Sequence, residues 1–264
     1  MKIAVCGKGG VGKTFIAGSL AEQYARLGHF VIAIDADSSP NLALSLGLTP
    51  EEASGIVPVA ENDGLIRLKT GTDYAGVFRL TFTVDDIIAK YAYKTPAGPS
   101  LLVMGTVKAM GSGCTCPAHS VIKALMRHLV VERDEVVILD MEAGIEHLGR
   151  GTAEHVDMLL VVTDANRKSR ETAGAIIRLA RDSAIRHIQL VGNRVSGAHE
   201  EAILRSCAEE NTIPLAALIP YDSEVADAGI SGEPVKVSGS GAMAAIALLA
   251  RTLVTVRDVG TDKP

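Results

Sequence analysis

The chain has 264 residues, 47% of them hydrophobic and 22% charged, which suits one large α/β domain or two small ones with a substantial core. Aromatic residues reach only 3%, tryptophan is absent and the formal net charge is −5 without a basic cluster, which argues against a single-strand stacking platform and against nucleic acid as a partner. No apolar run reaches membrane-spanning length, the nearest being 243–256 with Arg251 inside it, and no leader is expected because the first residues already read as a buried strand; the expectation is a cytoplasmic protein with no membrane contact.

In chain order, short apolar runs ending in a charged residue, Gly or Pro predict strands over 2–6, 30–35, 65–70, 100–104, 135–140, 158–163, 187–192 and 215–220. Helical spacing falls between them, over 13–27, 84–91, 120–131, 169–182, 200–210 and 242–254. This alternation predicts an α/β fold: a mostly parallel sheet of seven to eight strands with helices on both faces. No linker, repeat or low-complexity segment interrupts it, so one domain over 1–264 is expected, with 257–264 as a frayed tail. The section 49–113 is the least regular.

Between the first strand and the first helix stands Gly7-Lys8-Gly9-Gly10-Val11-Gly12-Lys13-Thr14, which fits the phosphate-binding spacing G-x-x-x-x-G-K-[ST]. Gly7, Gly9, Gly10 and Gly12 let the backbone curl, so that its amides, that of Val11 included, face a phosphate. The helix N-terminus adds positive charge at the same spot. Lys13 reaches for the β- and γ-phosphates, and the Thr14 hydroxyl is placed to ligate Mg²⁺. Further along, Asp35-Ala36-Asp37 ends the second strand at the edge where α/β ligands bind. Asp35 suits either water-mediated support of Mg²⁺ or a cap of the loop; simple turn chemistry is the plain alternative for the pair. Asp140 ends the hydrophobic run 136–139, the pattern of an acid that holds Mg²⁺ through its water shell. Gly144 would let the following backbone approach the γ-phosphate, while Glu142 and Glu146 read either as solvated loop charges or as catalytic acids.

Cys6 and Cys207 read as small buried or half-buried thiols. Cys114 and Cys116, in Gly111-Ser112-Gly113-Cys114-Thr115-Cys116-Pro117, are different. One intervening residue puts both thiolates on one side of an extended segment, and a local disulfide there would be strained. They read either as two incidental reduced thiols in a loop or as half of a tetrahedral set for a soft or borderline metal, which a two-fold axis would complete from a second copy. His119 is close enough to substitute as a ligand, although a His at a helix start is usually just exposed.

The spelling Lys-Gly-Gly-x-Gly-Lys-Thr, with Lys8 as an extra lysine, resembles the deviant Walker A group of ATPases, which includes the MinD, ParA and nitrogenase iron-protein families. The resemblance implies ATP with Mg²⁺ and a nucleotide-dependent homodimer in which Lys8 crosses to the partner's nucleotide as a catalytic residue beside Lys13. It also implies that Asp37 positions the attacking water, that Asn193, followed by Arg194, reads the adenine edge, and that Pro220 and Asp222 of Ile219-Pro220-Tyr221-Asp222 flank the base. Phe15 departs from the group, whose members usually carry a second hydroxyl there, which bears on nucleotide affinity. The Cys-x-Cys pair, followed by Asp140-Met141-Glu142-Ala143-Gly144-Ile145-Glu146-His147 and Arg150-Gly151-Thr152, resembles the CooC-type nickel-insertion ATPases. That narrower resemblance implies a metallochaperone that carries Ni²⁺ or Zn²⁺ at the dimer interface and has carbon monoxide dehydrogenase as its client. A MinD/ParA-type positioning switch without metal delivery and an iron–sulfur-cluster ATPase remain alternatives.

Overall fold

The computed structural model describes residues 1–37, 41–72, 77–79, 82–105, 117–132, 135–141, 155–183, 185, 187–231 and 240–260. Strands form where the sequence runs mostly apolar: β1 (Lys2–Gly7), β2 (Val31–Ala36), β4 (Ser100–Val103), β5 (Val136–Met141), β6 (Met158–Thr163), β7 (Ile188–Val195) and β8 (Leu215–Pro220). A short edge strand, β3 (Tyr93–Lys94), pairs antiparallel with β4; the other pairings are parallel. The sheet order is β3-β4-β2-β5-β1-β6-β7-β8. Parallel strands need crossovers that cover both faces, and for that reason the strands are mostly apolar rather than alternating.

Alternate residues of each strand feed two separate cores. Ile3 and Val5 of β1 face the layer built by α1 (Lys13–Arg26), α2 (Leu42–Ser45) and α10 (Gly241–Gly260). Ala4 and Cys6 face the opposite layer of α4 (Asp63–Thr70), α5 (Asp85–Tyr91), α6 (Pro117–Arg127), α7 (Arg167–Asp182) and α8 (Ala198–Glu210). Tyr24 ties α1 to α10: its buried hydroxyl donates to the Ala250 carbonyl at 3.0 Å. Cys6 and Cys207 are both buried, and neither is in a disulfide. A one-turn α3 (Pro50–Ser54) is held by a capping box between Thr49 and Glu52, and α9 (Ser223–Ser231) follows β8.

The structure corrects one predicted strand. Residues 65–70 are the body of α4, not a strand. Asn62 caps this helix, its side-chain oxygen accepting from the Leu65 amide at 2.9 Å, with Asp63 in the first turn and Arg67 and Lys69 in the last. The sequence Leu-Ile-Arg-Leu-Lys-Thr satisfies both periods over so short a span. The ion pair between half-buried Asp86 and Lys69, which is only 8% exposed, makes the helical choice viable by compensating a lysine inside the fold. Two further differences concern boundaries. A wider turn, His128–Glu132, continues α6, and α10 runs on to Gly260, beyond the apolar period that ends at 254.

Candidate functional site

The phosphate-binding octet sits at the carboxyl end of β1, between β5 and β6, where the chain's successive strands diverge to opposite sides of the sheet. Such a point leaves a crevice above the strand ends. Gly10 and Gly12 have φ of 84° and 94°, a region open to glycine at little cost. Gly7 passes so close to β6 that a side chain would meet the Val162 carbonyl oxygen at 2.2 Å. Gly12 is the N-cap of α1, which has no side-chain cap and no acidic residue in its first turn. The positive end of α1 is thus open to an anion. Lys13 is only 6% exposed, Lys8 and Thr14 are half-buried, and Val11 anchors the loop in the core.

Two acids stand behind this loop. In the register of β2 on β5, Asp35 pairs with Asp140, and Asp140 in turn pairs with Val5 of β1. Both are fully buried on the face covered by α1. Asp35 is spent on the chain itself: its carboxylate accepts from the Leu42 amide at 2.9 Å and from the Asp37 amide at 3.2 Å. Of its two expected roles, the structure shows the loop cap. Asp140 differs. Both of its oxygens are buried without a hydrogen-bond partner among the described residues. Burial pushes its carboxyl up to about 7; Thr14 and Lys13 oppose the rise and the charges of Asp35 and Asp37 add to it. Thr14 stands near enough to oppose it without closing a hydrogen bond of normal geometry. A buried, unpartnered carboxylate beside a hydroxyl and an ammonium group is a donor set that fits a hydrated Mg²⁺ at a phosphate. The half-buried Asp37 lies at the rim of the same crevice.

Beside the loop, a cleft of about 530 Å³ is lined by Gly12, Phe15, Asn193, Arg194, Pro220 and Asp222, among others. The structure therefore brings together, along one wall, the expected base-binding residues from the ends of β7 and β8. Asn193 is 5% exposed and donates from its side-chain amide to the Val11 carbonyl at 2.7 Å. Arg194 has a φ of 59°, which turns the chain at the end of β7. Asp222 accepts from the Ser240 hydroxyl at 2.6 Å and from the Glu224 amide at 3.0 Å, so it caps α9 and ties it to the start of α10. Phe15 lines this cleft and also a neighbouring cavity of about 460 Å³ over α2. Sequence reasoning missed α9, which supplies Val225, Ala226 and Gly229 to the cleft wall. The signal was present in Asp222-Ser223-Glu224, an Asx cap followed by an acid in the first turn.

Cys114, Cys116, Glu142, Gly144 and Glu146 lie outside the described residues. His119 is in the first turn of α6. Among the described residues there is no cluster of three or more His, Cys, Asp or Glu that could hold a metal, and no helix is long and apolar enough to cross a membrane.

Comparison with known proteins matches residues 2–235 to the CobQ/CobB/MinD/ParA nucleotide binding domain. The carbon monoxide dehydrogenase accessory protein CooC of Rhodospirillum rubrum is 42% identical over 234 residues, covering 88% of each chain. An uncharacterized ATP-binding protein of Methanocaldococcus jannaschii is 41% identical over 245 residues, covering 92% of this chain and 93% of its own. In fold, the chain is similar to the MinC:MinD cell division protein complex of Aquifex aeolicus, with a TM-score of 0.67 at 22% identity, covering 99% of this chain and 96% of that one.

Proposed function

The chain belongs to the CobQ/CobB/MinD/ParA family of nucleotide-binding domains and is an ATPase of that phosphate-loop class, and from this premise we propose that it drives the maturation of a carbon monoxide dehydrogenase by carrying nickel between two copies of itself. The observation that carries the ATPase chemistry is the bare Asp140 carboxylate behind Lys13 and Thr14. The relative named as a carbon monoxide dehydrogenase accessory protein, alike over 88% of both chains, supports the client.

The loop amides and the N-terminus of α1 bind and orient the phosphates, and Lys13 neutralises charge as it develops on the transferred group. Asp140 and Thr14 would hold Mg²⁺, which when bound neutralises the phosphate oxygens. Asp37, on the rim of the crevice, orients the attacking water. Lys8 is free to reach outward from the loop's first turn to the nucleotide of a second copy. Closing the pair in this way brings two Cys114/Cys116 sets together as a four-thiolate seat for Ni²⁺, or for Zn²⁺, which such ligands also favour. Hydrolysis then relaxes the segments that follow Asp37 and Asp140 and releases the cargo. Reciprocity requires that the metal in turn favour the closed pair.

The test is metal analysis with light scattering, with and without ATP. The wild-type chain should double in mass with ATP and hold about one Ni²⁺ or Zn²⁺ per pair. The double variant Cys114→Ser, Cys116→Ser should lose the metal and keep ATP binding; unchanged metal content would refute the ligand assignment. Lys13→Ala should abolish turnover, and wild-type hydrolysis by that variant would discredit the site.

A further inference from the structure

We propose that Asn193 is a positioning residue for the phosphate loop, holding the Val11 peptide from across the sheet whether or not a base is bound. The proposal rests on the reading of the loop as an ATP site.

Val11 lies between Gly10 and Gly12, whose φ values are 84° and 94°. Glycine rotates with little steric resistance, so the peptide group joining Val11 to Gly12 is not held by local sterics. Its orientation matters, because the Gly12 amide must face the ligand and the Val11 carbonyl must face away from it. A flipped peptide would present an oxygen to phosphate oxygens. Support from within the loop is weak: the Val11 amide reaches the Lys8 carbonyl only at 3.4 Å. The Val11 side chain is packed in the core, which fixes the residue but not its carbonyl.

The restraint comes from β7, which lies two strands away from β1. Asn193, at the end of β7, donates its side-chain N–H to the Val11 carbonyl at 2.7 Å, a bond between residues 182 apart in the chain and shielded from water. The fit is mutual. A Cβ on Gly12 would stand 2.3 Å from the Asn193 nitrogen, so only glycine allows the amide to approach. The chemistry also assigns the amide's orientation: facing a carbonyl, the side chain must present nitrogen, not oxygen. Asn193 also lines the cleft beside the loop, next to Arg194 and Pro220. One side chain therefore serves both the wall of the base cleft and the shape of the loop.

Inorganic tripolyphosphate separates the two roles, because it occupies the loop and has no base. Binding of its Mg²⁺ complex and of Mg-ATP is measured by calorimetry on the full chain, for wild type, Asn193→Ala and Asn193→Asp. Loss of one buried hydrogen bond predicts that Asn193→Ala weakens both ligands by about tenfold. Hydrogen exchange at the Val11 and Gly12 amides should accelerate by a similar factor, with β1 unchanged. Asn193→Asp keeps the size but sets oxygen against oxygen, so it should weaken both ligands further and gives the same reading if the alanine variant does not fold. An Asn193→Ala protein that binds tripolyphosphate like the wild type while losing ATP affinity would overturn the proposal, leaving only a base contact. A wild-type chain that binds neither ligand would refute the ATP reading itself, and the exchange rates of the unliganded variants would still decide the tether.

Discussion

Replacing Asp140 with asparagine tests the idea that this carboxylate is strained in the empty site and useful only in the loaded one. In the fold its carboxyl is held at about 7, against an ordinary value of 3.8. Between those two values the folded state carries one proton more than the unfolded state, so stability falls as pH rises, and above about 7 the loss is complete. A rise of that size corresponds to roughly 4 kcal/mol. The asparagine amide does not ionise, but burying it without partners costs about 1–3 kcal/mol. The protonated wild-type carboxyl bears a similar cost, so the Asp140→Asn protein should be more stable than wild type by roughly 4 kcal/mol at pH 8 without ligand, and about as stable as wild type at pH 4. Urea unfolding at pH 4 and 8 in the presence of a chelator measures this, since the other ionisable groups act in both proteins and largely cancel. Mg-ATP should raise the melting temperature of the wild type, while the variant gains little and turns over no ATP. Parallel stability curves for the two proteins across that pH range would refute the reasoning, because they would mean that Asp140 is solvated or partnered in the folded chain.

Two further outcomes are expected. Lys8→Ala should retain most of its ATP affinity but stay at monomer mass in light scattering with ATP, because the lysine acts on the neighbouring copy; normal dimerisation would count against a role in trans. Asp222→Ala removes the bond to Ser240 and the cap of α9, with a loss of about 1 kcal/mol in denaturant unfolding at neutral pH. The Ser240 hydroxyl, foremost among the bonds to Asp222, holds its carboxyl below the usual range, so this stabilisation is present above the ordinary carboxylate value and disappears as pH falls through the lowered one. A difference between wild type and variant that persists in strong acid would show that the effect is not the carboxylate's.

The central strands of this sheet were legible because they are buried on both faces, and a run such as Met-Leu-Leu-Val-Val-Thr reads as a buried strand in so short a segment. Where an element is half exposed, the signal weakened. The stretch 65–70 reads equally well in either period, and Asn62 and the Lys69–Asp86 pair decide for helix. The second of these depends on α5, which local pattern cannot foresee. The helix α9 was missed for the opposite reason: its apolar face is slight, and its start is declared only by Asp222.

The same division runs through the site. The octet at 7–14 determined, without any coordinates, where phosphate would bind, because a glycine-rich turn followed by a helix start is a local device: φ freedom and free amides belong to adjacent residues. Which groups meet around it was decided by tertiary structure alone. Asp35 lies beside Asp140 and Asn193 grips Val11 only because the strands are laid in the order β4-β2-β5-β1-β6-β7-β8. That order is set by how the helices pack over both faces, a long-range balance of buried surface that no short window of sequence contains.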